Sequence, residues 1–101
     1  MKTLHFVVIG TNASIVRTLV RVISANENWT CFGCNDTEAL YNHLKETNTD
    51  LILLSSGLDV ETETEIKMKA VHFVPSVKVI EHYGGGSGLL YNEIAMALEK
   101  K

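Results

Sequence analysis

The sequence predicts a three-layer α/β sandwich built on a parallel sheet. Two observations carry this prediction. Short apolar runs rich in branched side chains alternate with longer segments whose apolar residues recur at helical spacing, and the order βαβα repeats from end to end. Strict alternation of this kind buries a parallel sheet between helices.

Each element has its own signature. Leu4 to Ile9 (LHFVVI) is a strand suited to burial on both faces. Thr11 and Asn12 follow, and either can cap a helix. Ile15, Val16, Leu19, Val20 and Ile23 then form the inner stripe of a first helix, which Asn26-Glu27-Asn28 ends. Trp29 to Cys34 is a second strand. Asn35 and Glu38 have capping-box spacing for a second helix, with Ala39, Leu40, His43 and Leu44 as its inner stripe and Thr47-Asn48-Thr49 as its end.

Asp50 leads into a third strand, Leu51 to Leu54, and Ser55-Ser56-Gly57 is a loop. Residues 61 to 72 are predicted as a helix with Ile66, Ala70 and Phe73 on one side, stopped by Pro75. A fourth strand begins at Val77 (VKVI). Tyr83-Gly84-Gly85-Gly86-Ser87-Gly88 is a turn, and Leu89, Leu90, Ile94, Ala97 and Leu98 mark a last helix. Right-handed crossovers leave few ways to arrange four such strands. The flavodoxin-like order 2-1-3-4, with helices on both faces, fits best. Sites in these sheets lie beyond the carboxyl ends of the strands.

The chain has 101 residues, enough for a single domain, and the whole of 1–101 is read as one. Its net charge is −3, which argues against a nucleic-acid-binding face because such a face needs excess Lys and Arg. No apolar run is long enough to cross a bilayer. The opening residues carry no small-residue cleavage site, so no signal peptide is expected. Two cysteines are too few for a disulfide framework, and a cytoplasmic location is expected.

The segment from Trp29 to Leu54 (WTCFGCNDTEALYNHLKETNTDLILL) resembles the middle of a response-regulator receiver domain, with its strand, acidic "EAL" helix and "D-L-I-L-L" strand. The first helix (SIVRTLVRVI) and Pro75-Ser76-Val77-Lys78-Val79-Ile80 are similar to their counterparts, so the likeness spans about residues 4 to 82. It implies two-component signalling ancestry in a bacterial cytoplasm. It also exposes departures at every chemical position. Thr11 and Asn12 stand where a receiver holds its magnesium-binding acids, Ser55 stands at the phosphoacceptor aspartate, and Tyr83 is nearest the switch Ser/Thr. The fifth strand and its lysine have no counterpart.

Magnesium prefers carboxylate oxygens, and aspartyl-phosphate chemistry needs a carboxylate nucleophile. The expectation is therefore a non-enzymatic pseudo-receiver with no cofactor and no metal. It would act as a signalling or adaptor domain through protein contacts. Without a fifth strand, strand four becomes an edge, and unpaired edges invite partners. A homodimer is expected through Val77, Val79, Glu81 and Tyr83 together with the last helix, the alternative being an edge blunted by Lys78 and Glu81.

Other candidates stand beside blander explanations. Gly84, Gly85, Gly86, Ser87 and Gly88 lead from a strand into a helix and suit a small anion, a phosphate or a nucleotide, with Thr11, Ser55 and His82 nearby. The alternative is a connector capped by Ser87, since the Lys-Ser/Thr pair of a P-loop is missing. Cys31 and Cys34 form C-x-x-C, but residues three apart on a strand point to opposite faces, which favours buried free thiols. His82 beside Ser55 and Ser56 suggests acyl transfer only weakly, with no G-x-S-x-G elbow present. Glu61, Glu63 and Glu65 complement a helix N-terminus or offer a patch to a basic partner.

Overall fold

The computed structural model describes residues 3–55 and 57–81. It contains β1 (Leu4–Ile9), α1 (Ala13–Ser24), β2 (Trp29–Cys34), α2 (Thr37–Glu46), β3 (Leu51–Leu54), α3 (Val60–Phe73) and β4 (Lys78–Glu81). All four strands are parallel, in the order β2-β1-β3-β4. The expected α/β class and strand order are those observed. The expected last helix lies outside the described residues. No helix among the described residues is long and apolar enough to cross a membrane.

The two central strands explain why their sequences are apolar without alternation. Val7, Ile9, Ile52 and Leu54 face α2 and α3, where they meet Leu40, Leu44, Ile66 and Ala70. Phe6, Val8, Leu51 and Leu53 face the other way, against Val16, Leu19 and Ile23 of α1. A strand covered on both sides needs an apolar side chain at every position. The register sets Ile9 beside Cys34 on one side and Leu54 on the other, so the carboxyl ends of β1, β2 and β3 finish level. Gly33 lets α1 approach the sheet, because a Cβ there would stand 2.8 Å from Val20 and 2.9 Å from Val16.

Local expectations are corrected in four elements. First, Ile15 is 40% exposed. On a 3.6-residue helix it sits ~90° from the centre of the stripe formed by Val16, Leu19, Val20 and Ile23. Second, the Asn35–Glu38 capping box does not form. Asp36 caps α2, its Oδ1 accepting from Ala39 N–H at 2.8 Å. Asn35 instead reaches across to the end of β1. His43 also leaves the expected inner stripe and stacks on Phe32, with ring centroids 4.2 Å apart and planes 3° from parallel.

Third, α3 starts at Val60, one residue earlier than expected, because Asp59 Oδ1 accepts from Thr62 N–H at 2.7 Å. It runs to Phe73, where the approach to Pro75 ends it. Fourth, Val77 precedes β4 rather than opening it. Its N–H donates to Val74 O at 3.0 Å in a turn, and its side chain is buried among the residues under α2 and α3.

Candidate functional site

The rim at the carboxyl ends of β1, β2 and β3 is assembled from three loops. The β1–α1 loop carries Gly10, Thr11 and Asn12. Asn12 turns away from the rim and caps α1, its Oδ1 accepting from Ile15 N–H at 3.1 Å. Thr11 is exposed and packs against Gly57, which adopts a positive φ of 98° and has no room for a Cβ beside the Thr11 hydroxyl. Gly10 is buried between Ser55 and Asn35. Asn35 Nδ2 donates to Gly10 O at 2.9 Å, tying the β2 end to the β1 end.

Ser55 closes β3. Its backbone N–H donates to Ile9 O at 2.8 Å, extending the ladder by one step. Its side chain points toward Gly10 and α1 and is 1% exposed. The hydroxyl makes no hydrogen bond with any described residue. Thr11 and Ser55 thus occupy one rim, but Asn12 is spent as a cap and Ser55 is shut beneath Gly10.

Between β1 and the N-termini of α2 and α3 lies a shallow cavity of about 260 Å³, framed by Thr11, Asn35, Asp36, Gly57, Asp59 and Thr62. Its two carboxylates, Asp36 and Asp59, are the caps of α2 and α3. The hydrogen bonds from the Thr62 side chain and backbone hold the Asp59 carboxyl below its ordinary range, so it is ionised at neutral pH. The two caps therefore neutralise the helix ends that would otherwise attract an anion. Among the described residues, no group of three or more His, Cys, Asp or Glu side chains is placed to hold a metal ion.

The other expected residues are distributed as follows. Tyr83, Gly84, Gly85, Gly86, Ser87 and Gly88, with Ser56 and His82, lie outside the described residues. Of the expected interface, Val77 is buried and Val79 packs partly against the core below α3. Glu81 is exposed and pairs with Lys67 at 3.4 Å. Cys31 packs on the α1 side of the sheet and Cys34 on the opposite side, both as free thiols. Burial pushes each thiol up to about 12, with a smaller contribution from Cys34 on Cys31 and from Asp36 on Cys34. Of the acidic residues, Glu61 and Glu63 lie in the first turn of α3, while Glu65 Oε2 accepts from the Tyr41 hydroxyl at 2.9 Å.

Gly10, Asp59 and Thr62 are rim residues that sequence reasoning missed. Asp59 and Thr62 have a legible signal, an acid three residues before a threonine at the head of a helix. Gly10 has only its place between a strand and a cap. No protein-family model and no curated protein sequence matches this chain.

Proposed function

We propose that this chain is a receiver-like pseudo-receiver that works by protein contact and does not carry a phosphoryl group. The observation that supports the reading most directly is the state of Ser55. It stands at the position where the resemblance expects the phosphoacceptor, yet it is 1% exposed and its hydroxyl has no hydrogen-bond partner among the described residues. An attacking hydroxyl needs access to the donor and an aligned base. The rim carboxylates Asp36 and Asp59 are committed to helix caps, which takes them away from metal binding.

The contact surface in this reading is the outer edge of β4. Among the described residues β4 pairs with β3 alone, and its other side can take a second strand, that of another copy of the chain first of all. Lys78 and Glu81 flank the strand and would select a partner whose charges match.

Incubation of the full chain with acetyl phosphate and Mg²⁺, followed by intact-mass measurement, tests the first part. No mass increase is expected. A stable adduct of one phosphoryl group, located to Ser55, overturns the reading.

A further inference from the structure

α3 is apolar on two sides. Ile66 and Ala70 point into the core, while Val60 is 75%, Met68 65% and Val71 42% exposed. Val60, Thr64, Met68 and Val71 are spaced four, four and three apart, so they form one outward stripe over three turns. The stripe itself lines an open, apolar hollow of about 440 Å³, with Val60, Thr64 and Met68 at its base and Glu61, Glu65 and Lys69 along its side.

The charges on this helix are sorted along its length. Glu61, Glu63 and Glu65 occupy the N-terminal half, and Lys67 and Lys69 the C-terminal half. A parallel partner would set like charges against like. A second copy of the same helix running antiparallel sets acid against base at both ends, and Thr64 and Met68 cross near the middle. A surface that is complementary to itself under a twofold rotation is what an isologous dimer requires.

We infer that the outward face of α3 is a homodimer surface on which two copies pack antiparallel about a twofold axis between Thr64 and Met68. The 14-residue helix is about 21 Å long, so the contact is small and falls in the weak, transient class of interface. The ion pairs already present there, Lys69–Glu65 at 3.9 Å and Lys67–Glu81 at 3.4 Å, join exposed side chains and are weak, while Glu65 keeps its bond from the Tyr41 hydroxyl. This surface meets the β4 strand at the Lys67–Glu81 pair, and the inference does not depend on the rim being silent.

Sedimentation equilibrium on the full chain from 10 µM to 1 mM, with NMR amide shifts followed on dilution, provides the test (roughly the range that populates a weak dimer). A concentration-dependent dimer is expected, with the moving amides in residues 60–72. Met68→Asp should weaken it at least tenfold. Glu61→Lys with Glu63→Lys should remove the dimer, as should Lys67→Glu with Lys69→Glu, and a one-to-one mixture of these two variants should restore it as a heterodimer. The mixture guards against a variant that merely folds poorly, since rescue requires two folded chains. A monomer at 1 mM overturns the inference. So does a dimer indifferent to both charge reversals, or one whose moving amides lie in residues 78–81, an outcome that would instead support contact through β4.

Discussion

A Cβ placed on Gly10 would stand 2.7 Å from the Ser55 Cβ and 3.1 Å from its Oγ, so these two residues at the ends of adjacent strands touch with nothing between them. The contact follows from the level register of β1 and β3. It also shuts the Ser55 hydroxyl beneath Gly10, where it is 1% exposed.

Substitution at this pair should give opposite results on its two sides. Gly10→Ala forces a methyl against backbone-linked atoms that cannot swing away, and overpacking of this kind costs about 1–3 kcal/mol. Ser55→Ala removes a buried hydroxyl that has no described partner. It should leave stability unchanged or raise it by up to about 1 kcal/mol, since burying an unbonded polar group is itself unfavourable. Ser55→Gly in the Gly10→Ala background should recover part of the loss, and urea midpoints across the four chains would measure the coupling. Equal destabilisation by Gly10→Ala with and without Ser55→Gly would show that the clash lies elsewhere.

The register that creates this contact is not written in either loop. The fold class was legible because LHFVVI and LILL are too uniformly apolar to have one wet face, and because Val16, Leu19 and Ile23 keep helical time. Caps were half legible. Asn35 and Asp36 are neighbours of equal capping aptitude, and what separates them is a tertiary bond: Asn35 reaches across to Gly10 O, which leaves Asp36 for the helix. Ser55 could be placed at the end of β3 from sequence, but its burial depends on Gly10 twenty-five residues from Asn35 and forty-five from Ser55. Short-range patterns do not report such distances.

Asp50 clamps the start of the sheet in two ways. Its backbone N–H donates to His5 O at 2.8 Å, and its Oδ2 accepts from His5 N–H at 2.8 Å. The acid before the third strand is therefore a fastener between β3 and β1, apart from any chemistry. Asp50→Ala keeps the first bond and loses the second, which carries a charged acceptor, and should cost about 1.5–3 kcal/mol. Asp50→Asn retains an acceptor oxygen and should cost less. Thermal unfolding at neutral pH would rank the three chains, and an alanine variant as stable as the parent would remove Asp50 from this role.

The two thiols should tie stability to alkaline pH. Burial raises both to about 12 from an ordinary value of 9.0. Between those values the unfolded chain gives up its thiol protons while the folded chain keeps them. The unfolded state then binds fewer protons, and stability falls as pH rises through this window. Below pH 9 both states hold the protons and the contribution is fully present. The Cys31→Ala, Cys34→Ala double variant should therefore show a shallower decline of urea midpoint from pH 9 to 11 than the parent. The same protonation should slow native-state alkylation by iodoacetamide at pH 8, with labelling complete only in denaturant, because the thiolate is the nucleophile. Both cysteines lie on the two faces of one strand, so neither can shield the other. Rapid modification of either thiol in the folded chain, or a pH profile that the double variant leaves unchanged, would contradict the burial that sets them apart from a redox pair.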